Sequence, residues 1–209
     1  MAVGEERKGL TRDERHHARV SKWTKDVDLF EKDFIFVPVN YKEEHWFLIV
    51  ICYPMLAAPK WDSVREPGSI LPVTRMAQRP CVLVFDSVAG GEAVAKFTAN
   101  VILGYLQREY VVKKGAAAPA SASSTPDFRE RLKRISPVVP LQDGDVDCGL
   151  FLLQFAESFF THPIRDFNET ALRAKEDEEG LSNWFSQDLI DAKRQQIKDL
   201  ILKLAAKKD

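Results

Sequence analysis

The sequence predicts an α+β fold, on three observations. The runs 46–52 and 81–85 are continuous, apolar and strand-sized, as expected of central strands covered on both faces. Segments 93–110, 148–160 and 181–204 carry apolar residues at helical spacing. Central strands are mixed with helices that are segregated by sequence, a pattern that reads as α+β.

Each element has its own signal. Residues 1–20 are charged and aperiodic, and read as a tail or as a helix dependent on partners. Phe34-Ile35-Phe36-Val37-Pro38-Val39 is a strand by its aromatic and β-branched content. Residues 40–44 are polar and form the turn of a hairpin, so that His45 stands where the second strand, 46–52, begins. Residues 54–80 change character: Pro54, Pro59, Pro67, Pro72 and Pro80 break up a stretch with few periodic apolar residues, an expected loop insertion. The strand 81–85 follows and leads to Asp86, with a turn at 87–91. Val94, Phe97, Val101, Leu103 and Leu106 mark the helix at 93–110. Residues 113–127 are rich in Ala, Ser and Pro and make a second expected insertion. A short strand is expected at 135–141. The apolar helix 148–160 comes next, with Pro163 as its stop signal. An amphipathic helix at 181–204, bearing Trp184, Phe185, Leu189, Ile190, Ile197, Leu200, Ile201 and Leu204, closes the chain.

Composition narrows the function classes. The 209 residues are 45% hydrophobic, enough for one sizeable core. A net charge of −1 gives no electrostatic case for nucleic acid as the main partner. The local clusters Arg129, Arg131, Lys133, Arg134 and Glu176, Asp177, Glu178, Glu179 read as solvated faces. No apolar stretch has the length of a membrane span, and MAVGEERKGL has no apolar core of a secretory signal. The three cysteines, Cys52, Cys81 and Cys148, lack paired spacing, which points to a reducing, intracellular compartment and away from a disulfide scaffold. No CxxC or His-rich spacing suggests zinc, so no metal site is expected.

Cys148 is the residue with the most chemistry in it. It opens an apolar helix, whose N-terminus carries partial positive charge that stabilises a thiolate. Taken alone, it reads more readily as a small buried hydrophobe than as a nucleophile, and Cys52 and Cys81 are read so. A thiol nucleophile needs a base, a group to orient that base and donors for an oxyanion. His16 and His17 fall in the charged stretch and His162 follows a helix end, whereas His45 stands at a strand edge beside apolar bulk. Asp86, ending the next strand, can accept an imidazole N–H; its bland reading is a cap over the turn 87–91. Gln142, six positions before Cys148, is a neutral donor that can face an oxyanion together with the Cys148 N–H, or an ordinary surface glutamine. Asp147 fits a helix N-cap, Gly149 permits close approach to the nucleophile, and Asp145 is expected to point away from a thiolate.

The order His45-Trp46, Asp86-Ser87, then Gln142 and Cys148-Gly149 resembles the ubiquitin-like protein-specific (SUMO, or sentrin) cysteine proteases. Segments 20–25, 30–40, His45-Trp46-Phe47-Leu48, 50–54, Asp147-Cys148-Gly149 and 154–160 are similar to the sentrin-specific protease 6 and 7 branch. The resemblance covers most of residues 20–200. It implies a papain-like cysteine protease fold with a central mixed sheet flanked by helices, the two insertions at about 54–80 and 113–127, a catalytic domain over 21–209 and a charged tail over 1–20. It further implies His45 as general base, Asp86 as its orienting partner, Cys148 as nucleophile, Gln142 as oxyanion donor and Trp46 as the cover of a narrow channel for a Gly-Gly tail. An indole closes well over an extended backbone that has no side chains. The implied reaction is cleavage after the Gly-Gly of SUMO, releasing target lysines, with SUMO chains favoured. The implied partners are SUMO and its conjugates, with no cofactor, no nucleic acid and no membrane, for a nuclear or nucleocytoplasmic monomer. Relatives have further elements upstream, including a Trp-Leu-Asn-Asp-like segment, so the domain is expected to be shortened at its N-terminus. The loop Leu141-Gln142-Asp143-Gly144-Asp145 stands where relatives have Gln-Gln-x-Asn-like residues. Two alternatives stay open: a catalytically weak SUMO-binding module, and a protease for another ubiquitin-like modifier.

Overall fold

The computed structural model describes residues 9–58, 79–115, 127–174 and 180–207. Four strands, β1 (Phe34–Tyr41), β2 (His45–Cys52), β3 (Cys81–Phe85) and β4 (Lys133–Ile135), form one mixed sheet in the order β1-β2-β3-β4. The helices are α1 (Arg12–Val20), α2 (Glu92–Lys114), α3 (Phe128–Arg131), α4 (Cys148–Thr161), α5 (Glu169–Leu172) and α6 (Gln187–Ala205). The expected α+β class is therefore the observed one. Among the described residues no helix is long and apolar enough to cross a membrane.

Burial follows the sequence pattern. β2 is fully buried from Phe47 to Cys52, and all five residues of β3 are buried. Unbroken apolar runs leave neither face to water, which is how a central strand reads. The hairpin turn between β1 and β2 has Lys42 at φ 55° and Glu43 at φ 63°, closed by the Glu44 N–H donating to the Tyr41 carbonyl at 3.1 Å. Two successive left-handed residues twist the ribbon in the sense the strands need. The Asn40 side chain steadies the turn by accepting from the Glu43 N–H at 2.7 Å. His45 thereby becomes the first residue of β2.

The chain divides into two compact units, residues 1–35, 51–82 and 93–134, and residues 36–50, 83–92 and 135–209. The second unit is built on aromatic packing. Phe85 stacks on Phe155 of α4 at 5.6 Å and meets Phe159 edge-on, while Phe36 lies against Phe159 and Phe160. Trp184 and Phe185, in the turn before α6, cover Phe85, Phe151 and Phe155. Ion pairs Lys193–Glu157 and Arg194–Asp147 tie α6 to α4 and to its N-terminus.

The first unit has an aromatic cluster, Phe30, Tyr110 and Phe128, and a buried polar knot. Residues 12–20, expected within a charged tail, form α1, started by a reciprocal capping box between Thr11 and Glu14. His17 is buried there, with Nε2 2.6 Å from Oε2 of Glu109 on α2. Thr24 donates to Glu109 Oε1 at 2.8 Å, and the Lys113 ammonium lies 2.8 Å from the same oxygen.

Three boundaries differ from those expected. The strand expected at 135–141 is β4, three residues ending at Ile135, because Pro137 and Pro140 cannot donate to a ladder. Val138 instead donates to the Leu172 carbonyl at 2.9 Å. The helix expected at 181–204 begins only at Gln187, after an extended Ser186, and its last turns leave Leu200, Ile201, Leu202 and Leu204 exposed. Helix α2 runs on to Lys114, past the expected end at 110. Of the two expected insertions, Pro54–Ala57 is a short 3₁₀ turn, while residues 59–78 and 116–126 lie outside the described residues.

Glu109 generates a prediction for this unit. Burial alone would push its carboxyl up, but hydrogen bonds from Lys113, His17 and Thr24 outweigh burial and hold it below the usual carboxylate range. A depressed carboxyl stabilises the fold above the unfolded-state value of about 4.3, and that contribution is lost as the pH falls through the folded value. Glu109→Gln should lower stability by about 1–3 kcal/mol near neutral pH. The gap between wild type and variant should close toward pH 3, measured by urea unfolding across that range; an unchanged gap would contradict this assignment.

Candidate active site

Every residue expected to carry chemistry lies in the second unit. His45 stands at the start of β2, with its ring stacked on Phe47 at 5.8 Å. Its Nε2 is 2.8 Å from Oδ1 of Asp86, immediately after β3. Beside a carboxylate, Nε2 carries the proton and Nδ1 is left as the basic nitrogen. Asp86 also accepts from the Val88 N–H at 3.0 Å. The two readings of Asp86, histidine partner and turn cap, thus hold at once.

Cys148 is the first residue of α4 and is 6% exposed. It opens a helix of fourteen residues, so free backbone N–H groups and the positive helix end surround the thiol. Asp147 occupies the N-cap position but makes no capping bond with its side chain, contrary to expectation. Its carboxylate pairs with Arg194 of α6 instead, so the charge next to Cys148 is met by a guanidinium. Asp143 and Asp145 are exposed.

Trp46 joins the strand side of the site to the helix side. Its indole Cδ1 is 3.9 Å from where a Cβ on Gly149 would stand, and the residue is 39% exposed. A side chain at the neighbour of Cys148 would therefore meet the neighbour of His45 at ordinary van der Waals distance. What approaches Gly149 is this indole rather than another backbone.

Gln142 is held at both ends. Its backbone N–H donates to the Ser87 carbonyl at 3.0 Å, and its side-chain Oε1 accepts from the Ser87 hydroxyl at 2.8 Å. Its Nε2 donates to the Gly144 carbonyl at 2.6 Å. Gly144 has φ +85°, a conformation L side chains rarely adopt. An amide nitrogen carries two hydrogens, so the bond to Gly144 commits only one of them.

The sequence reading missed three contributors. Ser87 was part of the Asp-Ser signature without a role. Arg194 lies 47 positions from its partner, beyond any local pattern. Gly91 gave only a turn signal, yet a Cβ there would come 2.5 Å from Oδ2 of Asp86.

Residues 4–194 match the model described as "Ulp1 protease family, C-terminal catalytic domain", and the chain belongs to that family. Sentrin-specific protease 7 of Homo sapiens is 31% identical over 238 residues, covering 96% of this chain and 21% of that protein. The probable ubiquitin-like-specific protease 2A of Arabidopsis thaliana is 32% identical over 188 residues, covering 90% of this chain and 22% of that protein. The chain thus spans about a fifth of these curated relatives. In fold it is similar to a solved structure titled "Crystal structure of the de-sumoylating protease", with a TM-score of 0.58 at 20% identity, over 91% of this chain and 64% of that one.

Gly91 supplies the prediction here. Gly91→Ala should leave the melting temperature nearly unchanged, because the side chain in the way ends in a movable carboxylate. It should displace Asp86 and lengthen its 2.8 Å contact with His45, seen in a crystal structure of the variant. An unmoved carboxylate would refute this.

Proposed function

We propose that this chain is a SUMO-directed cysteine isopeptidase, with Cys148 as nucleophile, His45 as general base, Asp86 as its orienting partner and Gln142 as oxyanion donor. The observation that carries the proposal is the 2.8 Å contact of His45 Nε2 with Asp86 Oδ1, in the same compact unit as the helix that opens on Cys148. Membership in the Ulp1 protease family supports the reaction class, and the sentrin-specific relatives support the modifier.

The reaction follows from the residues. His45 Nδ1 takes the Cys148 proton, and the imidazolium is stabilised by Asp86 on Nε2. The thiolate attacks the carbonyl carbon of the C-terminal glycine of SUMO, where an isopeptide bond joins it to a target lysine. The oxyanion accepts from the uncommitted Gln142 N–H and the Cys148 backbone N–H. As the intermediate collapses, the C–N bond breaks and His45 returns its proton to the departing lysine amine. Water, deprotonated by His45, then cleaves the thioester and regenerates the thiol. Trp46 covers the Gly-Gly backbone, which has no side chains to obstruct an indole. SUMO chains are the favoured conjugates, in a nuclear or nucleocytoplasmic setting. Cys52, Cys81 and Cys148 are all buried and none is in a disulfide, which suits a reducing compartment.

The test is a SUMO bearing a C-terminal electrophile. The wild-type chain should form a covalent adduct, Cys148→Ala should form none, and His45→Ala should label at least ~100-fold more slowly. Cys52→Ala and Cys81→Ala should label like wild type. Binding without an adduct would sink the enzyme reading, and preferential labelling by a different modifier's probe would sink the SUMO assignment.

A further inference from the structure

We propose that Ser87 is a positioning residue for the oxyanion-binding amide: with the Gly144 carbonyl, it fixes which way round the Gln142 side chain stands. The inference rests on the role proposed above for Gln142. Only the amide nitrogen can donate to an oxyanion; the amide oxygen would repel it. The two ends of an amide are nearly the same size, so packing cannot choose between them and hydrogen bonds must.

Two contacts make the choice. The Ser87 hydroxyl, on a residue 1% exposed, donates to Oε1 at 2.8 Å. The Gly144 carbonyl accepts from Nε2 at 2.6 Å. If the amide turned over, Oε1 would face the Gly144 carbonyl, acceptor against acceptor. A third contact, the Gln142 N–H to the Ser87 carbonyl at 3.0 Å, sets the loop at the same residue, so side chain and backbone are held from one point. Ser87 follows Asp86 directly. One dipeptide thus orients the imidazole with its first residue and the amide with its second. Gly144 also fits the arrangement: its φ of +85° sits in the turn that presents the carbonyl.

The test combines kinetics with a signal from the amide itself, on the full chain. With a fluorogenic SUMO C-terminal amide, Ser87→Ala should lower kcat about tenfold, with KM within about twofold. Gln142→Ala should lower kcat about 100-fold. The double variant should be no slower than Gln142→Ala, since Ser87 acts through Gln142. In 15N spectra the Gln142 side-chain NH2 pair, assigned by its loss in Gln142→Ala, should shift or broaden in Ser87→Ala. Additive losses in kcat, or unchanged NH2 signals in Ser87→Ala, overturn the proposal. Should Ser87→Ala not fold, Ser87→Thr and Ser87→Val are equal in bulk and differ in the hydroxyl: Thr should keep the Gln142 signals and Val should lose them, and identical spectra overturn the proposal. A wild type that binds SUMO without turnover overturns the enzymatic reading alone, while the NH2 signals still decide the role of Ser87.

Discussion

The seating of Phe85 is the constraint on which the site depends. Phe85 is the last residue of β3, is wholly buried, and lies against Phe155, Phe159 and Trp184. Consecutive Cα atoms are about 3.8 Å apart, so its depth fixes where Asp86 and Ser87 emerge. Phe155 lies seven residues after Cys148, about two helical turns or ~10 Å along α4. One aromatic contact therefore sets both the height of the thiol-bearing helix and the position of the carboxylate. A one-residue slip of β3 would turn its alternate faces over and put Val84 or the Asp86 carboxylate where the aromatic stack needs Phe85.

Electrostatics add a second layer. A carboxylate next to a thiolate raises the energy of that anion, and the loop before α4 carries three: Asp143, Asp145 and Asp147. The nearest in sequence, Asp147, is mostly buried and is matched by Arg194. The other two are exposed to water, where the high dielectric and salt reduce their effect at a distance. The loop composition that looked unfavourable for a thiolate is thus offset partly by an ion pair and partly by solvent. The exposed loop residues need no partner of their own.

The parts of the molecule that were legible in the sequence share a physical reason. β2 and β3 could be read because burial on both faces leaves an unbroken apolar run. His45 and Asp86 could be read because they sit where such runs start and stop. The parts that were not legible involve long separations or missing local signals. His17 looked like tail because its partner, Glu109, is 92 positions away. Asp147 looked like a helix cap because Arg194 was not in view. The turn at Lys42 and Glu43 has neither Gly nor Asn at its left-handed positions, so its type is set by the strands on either side. The expected strand at 135–141 failed on Pro137 and Pro140, whose missing N–H outweighs the β-branched residues between them.

Ser87 illustrates how a residue can be visible in a motif and still lack a reason. The Asp-Ser pair stood out beside His45 and Cys148, but its first residue absorbed the explanation. In the fold the second is more buried than the first, and it makes two contacts with a loop 55 positions away. A buried hydroxyl whose single proton goes to one acceptor specifies a direction, which an apolar contact cannot do. Oxyanion stabilisation depends on direction more than on proximity, because the same amide turned over becomes repulsive. With Gln142 in the role proposed for it, the site needs a buried hydrogen-bonding residue at this position, and a small one, since it must share the end of β3 with the carboxylate that faces His45.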